Sequence, residues 1–153
     1  MNPKIGEKEM NNIVLISGGF DPIHSGHIAL IEGAAKFGNV VVLLNSDEWL
    51  RNKKGKEFLP YKEREIIIGS IKKVIDVISF DDSDTTCIDG IRKAIKKYKN
   101  YNLKFVNGGD RNDQTTPETK FCKENGVESF WGIGGSNKLN SSSWILNRWI
   151  KND

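Results

Sequence analysis

Apolar residues in this chain fall into short uninterrupted blocks, and between the blocks they recur every third or fourth position. Residues 13–17 read IVLIS and residues 40–44 read VVVLL. Blocks this short, rich in β-branched side chains, predict strands buried on both faces, as in a parallel sheet covered by helices. Residues 74–80 (VIDVISF), 103–106 and 127–133 predict three more strands. Helices are expected between them. From about residue 26 to Gly38, Ile28, Ile31 and Ala35 mark one face, with Leu30 beside them. Residues 61–71 form the next helix. Ile88, Ile91, Ala94, Ile95 and Tyr98 then recur at a period near 3.6, with Asp84 as the expected cap. Pro117 opens a further helix and Gly126 closes it. A last helix is expected over residues 142–149. Residues 46–60, SDEWLRNKKGKEFLP, break the rhythm. They are polar and lysine-rich, and read as a mobile loop with a helical turn at its start.

Strand and helix thus alternate about five times. That alternation, with right-handed crossovers, predicts an α/β fold: a Rossmann-like, doubly wound sheet of about five parallel strands in three α/β/α layers. Residues 1–11 read as a disordered leader and residues 12–153 as a single domain. Ligands of such sheets bind beyond the carboxyl ends of the strands. The unusual polar turns all fall there: residues 18–27, the lysine segment, residues 107–111 and residues 134–143.

Composition narrows the classes. The 153 residues carry a formal charge of +3, with 37% hydrophobic and 28% charged residues. That charge demands no nucleic-acid partner and suits an anionic small molecule. The start of the chain lacks the apolar core of a signal peptide. No apolar run reaches the ~18 residues that would span a bilayer. A cytoplasmic protein without a membrane partner is expected. Cys87 and Cys122 have no metal-ligand spacing and read as two reduced thiols.

The chemistry concentrates in residues 18–27, GGFDPIHSGH, which hold both histidines of the chain. Gly18 and Gly19 let the backbone approach a bulky anion. The helix that follows aims free N–H groups and its positive dipole end at the same point. His24 and His27 straddle Gly26 at i, i+3, on one side of the first helical turn. Imidazole donates hydrogen bonds, more strongly when protonated, so the pair suits a phosphate chain. Zinc would want a third protein ligand, and no third histidine exists. Aspartates could supply one, so metal capture stays open on the residues alone, as does a purely capping role.

GGFDPIHSGH resembles the signature of the HxGH nucleotidyltransferases, in the cytidylyltransferase-like superfamily. His24, Ser25, Gly26 and His27 match the HxGH element, and Gly18, Gly19, Phe20 and Asp21 match the strand-end turn before it. The resemblance continues over most of the chain. Residues 46–64 are similar to the segment that, in the glycerol-3-phosphate cytidylyltransferase form, carries a triphosphate-binding lysine and a YxxR arginine. Lys53 and Arg64 fall at those positions, with Lys54 and Lys56 as neighbouring alternatives. Gly108 and Asp110 resemble the family's GGD turn, and Arg111 follows where the glycerol type carries Trp. Ser141, Ser142 and Ser143 align with the family's hydroxyl run. The family's arginine and glycine before that run are Ser136 and Leu139 here, and Lys138 stands as a replacement charge.

The resemblance implies an enzyme that moves a nucleoside monophosphate from CTP or ATP to a small phosphorylated acceptor and releases pyrophosphate. Glycerol 3-phosphate, a sugar phosphate and phosphocholine are the expected acceptors. His24, His27 and Lys53 would be catalytic. Gly18, Gly19, Phe20, Asp21, Gly26, Gly108, Asp110 and Ser141–Ser143 would bind nucleotide. Arg64, Arg111 and Lys138 would clamp substrate phosphate. Mg²⁺ would bridge the phosphates, with Asp110 or Asp21 orienting its waters; no dedicated metal site is visible. A homodimer is also implied. The altered last motif raises a second possibility, a nucleotide-binding regulator without turnover.

Overall fold

A computed structural model describes residues 11–108, 116–133 and 141–151. The elements are β1 (Asn12–Gly18), α1 (Ser25–Ala34), β2 (Asn39–Leu44), α2 (Asp47–Lys54), α3 (Tyr61–Gly69) and β3 (Val74–Ser79). They continue as α4 (Ile88–Lys97), β4 (Asn102–Gly108), α5 (Pro117–Glu124), β5 (Glu128–Ile133) and α6 (Ser142–Lys151). The strands form one parallel sheet in the order β3-β2-β1-β4-β5. The chain steps from β1 out to β3, then restarts beside β1 at β4 and steps the other way. The strand order therefore reverses between β1 and β4, where doubly wound sheets take their ligands.

Alternation within each strand explains burial on both faces. Ile13, Leu15, Val41 and Leu43 point to one side and pack with Ile91 and Ala94 of α4 and Cys122 of α5. Val14, Ile16, Val40, Val42 and Leu44 point to the other and pack with Ile31 and Ala34 of α1 and Ile68 of α3. Fully burying one such Val, Leu or Ile contributes about 1.5–3 kcal/mol, so the central strands anchor the carboxyl edge firmly. Both cysteines are free and buried. Burial pushes the Cys87 thiol up to about 12 and the Cys122 thiol up to about 11, which keeps them unreactive. Among the described residues no helix is long and apolar enough to cross a membrane.

Four local expectations change. Residues 47–54 are a helix, not a loop: Ser46 caps it, Asp47 and Glu48 occupy its first turn, and Arg51, Lys53 and Lys54 occupy its last. That charge order suits the helix dipole at both ends. Asp84 does not cap α4. Its Oδ1 accepts from the Thr86 N–H and hydroxyl instead, and Cys87 stands at the N-cap without a side-chain bond. Ile28 is exposed because the buried stripe of α1 runs through Ile31 and Ala34. Trp144 and Trp149, expected as core or dimer contact, are exposed on α6, which leaves the core reading out. Residues 1–10 lie outside the described residues.

Candidate active site

β1 delivers the chain to the sheet edge at Gly18. Two residues on, Phe20 adopts φ 50°, a left-handed conformation that costs an aromatic residue energy. Its ring is buried, 4.7 Å from the ring of His27. The two glycines have a packing reason as well as a ligand reason. A Cβ on Gly18 would lie 3.2 Å from the Phe20 ring, and one on Gly19 would lie 2.6 Å from Cδ2 of Leu50. The space left by the missing side chains is thus shared with Phe20 and α2.

His24 is the N-cap of α1, and His27 is its third helical residue. Nδ1 of His24 accepts from the Gly26 N–H at 3.0 Å, and Nδ1 of His27 accepts from the His24 N–H at 3.2 Å. This is a capping box with imidazoles in the roles usual for Ser and Glu. A nitrogen that accepts a backbone N–H carries no proton. In each neutral ring the proton therefore lies on Nε2, and the hydrogen-bond network fixes that tautomer. The rings stack with centroids 3.8 Å apart. Burial, then the neighbouring His24 and Lys53, pushes His27 down to about 3. At neutral pH His27 is an uncharged donor, not the imidazolium that a phosphate site first suggests.

α2 supplies the lysines, and they divide the work. The Lys54 ammonium pairs with the buried Asp21 carboxylate at 2.9 Å and donates to the Asp21 carbonyl. Oδ2 of Asp21 also accepts from the Phe58 N–H at 2.6 Å, and Oδ1 accepts from the Leu59 N–H at 2.7 Å. This clamp fastens residues 58 and 59 to the phosphate turn, so the expected mobile loop is pinned. It also removes Asp21 as a water-orienting group, since both oxygens are engaged. Lys53 remains on the cavity wall, with its ammonium 4.8 Å from the Trp49 ring. Partial burial and the charge of Lys54 lower its pKa.

Arg64 is corrected outright. It is 1% exposed, and all three guanidinium nitrogens hold protein partners. Nε donates to the Leu59 carbonyl at 2.9 Å. One terminal nitrogen donates to the Gly19 and Asn45 carbonyls at 3.0 and 2.8 Å, and the other meets Asp47 at 2.7 Å. A guanidinium so enclosed cannot clamp substrate. It ties the ends of β1 and β2 to the start of α2.

These elements enclose a cavity of about 280 Å³, lined among others by Gly18, Gly19, His27, Lys53, Ser142 and Ser143. Ser141 caps α6 through the Trp144 N–H at 3.0 Å, and the Ser142 hydroxyl donates to the Pro22 carbonyl at 2.9 Å. The hydroxyl run is thereby brought against the phosphate turn. Gly26 lies in the first turn of α1, and Gly108 ends β4 across the switch point, paired with Ile133. Asp110, Arg111 and Lys138 lie outside the described residues. The sequence reading missed Trp49, Asp47 and the buried Asp82, which accepts from Asn45 and Ser46. The signal was present in Ser46-Asp47-Glu48, a capping sequence ahead of Trp49 and Leu50.

The resemblance implies Mg²⁺. Among the described residues no group of three or more His, Cys, Asp or Glu could hold a metal ion. Among the described residues the carboxylate on the cavity wall is Asp21, and it is committed to amides and Lys54. The described residues alone do not fit a protein-held metal.

The family model described as cytidylyltransferase-like matches residues 15–139. The bifunctional protein HldE of Citrobacter koseri is 30% identical over 136 residues, covering 86% of this chain and 24% of that protein. HldE of Syntrophotalea carbinolica is 30% identical over 157 residues, covering 95% of this chain and 29% of that one. The chain thus spans about a quarter of the length of these relatives. Among solved structures, a lipopolysaccharide core biosynthesis protein of Thermoplasma volcanium superposes with a TM-score of 0.62 at 21% identity, covering 82% of this chain and 98% of that one. A bifunctional NMN adenylyltransferase/ADP ribose pyrophosphatase of Francisella tularensis gives 0.64 at 16%, covering 92% of this chain and 43% of that one. The two structures share the fold. The family match spans most of the chain, including the phosphate turn and the lysine helix, and the chain belongs to the cytidylyltransferase-like family of nucleotidyltransferase enzymes.

Proposed function

We propose that the cavity binds CTP or ATP with its α–β phosphate region over the N-terminus of α1, and passes the nucleoside monophosphate to a small phosphorylated acceptor. An oxygen of the acceptor phosphate forms a bond to the α-phosphorus. The bond from that phosphorus to the bridging oxygen breaks, and pyrophosphate leaves with the electron pair. Among the described residues the cavity lining holds no cysteine, and His27 and Asp21 bond backbone amides and Lys54 rather than each other or a serine, so the reading is direct transfer by positioning and charge stabilisation. His24 and His27 donate through Nε2 to the oxygens where charge builds. Lys53 adds a cation from the facing wall. Ser142 and Ser143 line the far side.

The observation that carries this reading is the reciprocal histidine cap. It fixes two proton donors at a helix N-terminus without cancelling the dipole's positive end. The experiment is pyrophosphate release with CTP and with ATP against a panel of acceptor phosphates. His27→Asn separates chemistry from structure, because its amide oxygen can still accept the His24 N–H while the Nε2 donor is gone. Turnover is expected to fall roughly 10²–10³-fold with little change in melting temperature. Near-normal turnover in the folded variant would remove His27 from the mechanism. The regulator reading draws on Ser136 and Leu139 at the family's Arg and Gly positions. Tight nucleotide binding without pyrophosphate release for any acceptor would favour it.

A further inference from the structure

A lysine that is to meet a phosphate serves best if its ammonium already waits in place. Lys53 is exposed on α2, and its long stem has many rotamers to lose. Its ammonium lies 4.8 Å from the ring of Trp49, one turn earlier in the same helix. The place of the cation therefore follows the place of the indole. α2 has eight residues, and an isolated helix shorter than about 12–15 residues is marginal in water. Its first turn has to be held from outside.

The hold traces to Asp82, in the turn after β3. Asp82 is buried, and it does not line the cavity that Lys53 lines. With Ser46 and Trp49 it lines a second cavity, of about 260 Å³, so that Trp49 faces both. Oδ2 of Asp82 accepts from the Ser46 N–H at 2.8 Å and from the Asn45 amide at 3.0 Å, and Oδ1 accepts from the Ser46 hydroxyl at 2.7 Å. The same hydroxyl oxygen accepts from the Trp49 N–H at 3.1 Å. A serine hydroxyl has one proton and two lone pairs. By taking the proton, Asp82 leaves the lone pairs for the Trp49 N–H, and bonds in series polarise one another. The ion pairs of α2 fall on other residues, Arg64 on Asp47 and Asp21 on Lys54.

We propose that Asp82 is a positioning residue for nucleotidyl transfer: through the Ser46 hydroxyl it fixes the first turn of α2, and so sets Trp49 and the Lys53 ammonium against the phosphates without touching substrate. The inference rests on the nucleotidyltransfer reading. It gives the turn after β3, at the far side of α2 from the histidines, a part in the reaction.

The test is a double-mutant cycle on kcat/KM for the nucleoside triphosphate, measured by pyrophosphate release with the acceptor that the wild type uses best. Asp82→Asn keeps the size of the side chain and places a donor nitrogen where a carboxylate oxygen accepted. Ser46→Ala removes the hydroxyl link and leaves Asp82 in place. Each is made alone and together with Lys53→Met. Asp82→Asn and Ser46→Ala are each expected to lower kcat/KM about tenfold in the wild type, and less than about twofold once Lys53 is gone. A residue that only stabilised the fold would cause the same loss in both backgrounds. An equal loss with and without Lys53, an unchanged kcat/KM in either single variant, or a Lys53→Met enzyme as active as the wild type overturns the proposal and leaves nucleotidyl transfer standing. If Asp82→Asn does not fold, the Ser46→Ala cycle decides by the same criterion. Absence of pyrophosphate release from CTP and ATP in the wild type, with every acceptor phosphate, overturns both.

Discussion

Two helices begin at the same edge of the sheet, and their first turns are finished in opposite ways. α2 starts among carboxylates. Asp47 and Glu48 are in its first turn, Ser46 caps it, Asp82 holds Ser46, and Arg64 pairs with Asp47. α1 has no acidic residue in its first turn and is closed by two imidazoles that accept backbone N–H groups through Nδ1. At α2 the Ser46 hydroxyl accepts the Trp49 N–H and the carboxylates offset the dipole, so that end is structural. The imidazoles at α1 satisfy N–H groups through Nδ1 and keep an N–H on the far nitrogen. That end stays electropositive and retains donors. The capping side chain decides whether the positive end of a helix is offset within the fold or left available.

The largest effect should come from breaking the structural end. Arg64→Met removes the donor set from three buried carbonyls and from Asp47. A loss of about 3–5 kcal/mol in urea unfolding is expected. A loss below about 1 kcal/mol would mean that α2 is held by something else. The next effect belongs to α1 and appears with acid. Between about pH 6.5 and 3 the unfolded chain binds a proton at His27 that the folded chain refuses. Folding stability should therefore fall as pH drops through that window, by on the order of a few kcal/mol at most. Melting curves at pH 7 and pH 4 should show a smaller drop in His27→Asn than in the wild type, and an equal drop would contradict the neutral imidazole. The smallest effect sharpens the contrast most. Ser25→Asp gives α1 the acidic first turn that α2 has. It should stabilise the fold by about 0.3–1 kcal/mol and at the same time weaken nucleotide binding, measured by calorimetry. Unchanged affinity would place the triphosphate elsewhere.

The sequence made the sheet legible because residues 13–17 and 40–44 have one possible environment, burial on both faces. The reversal of strand order followed from the helices between them. The turn before α1 stood out because it holds two histidines three apart, and the structure places both at the start of that helix. Arg64 was read as a phosphate clamp from its YxxR position, and two of its carbonyl partners, Gly19 and Asn45, belong to distant segments that leave no mark on the local sequence. Asp21 was misread for the same reason: its partners, Lys54 and the amides of Phe58 and Leu59, are 33 to 38 residues away. Lys53 was separable from Lys54 only once α2 was known to be a helix, since consecutive residues then point about 100° apart. Asp110 and Arg111, which follow β4 in the sequence, lie outside the described residues and remain as the resemblance left them.

The indole of Trp49 lies where the two cavities meet, under a lysine ammonium. Indole emission responds to nearby charge and to loss of water. A form of the protein with Trp131, Trp144 and Trp149 replaced by Phe would therefore carry one fluorophore that reports on both cavities. Anything that draws the Lys53 ammonium away from the ring, or dries its other flank, would change the colour or intensity of that single side chain.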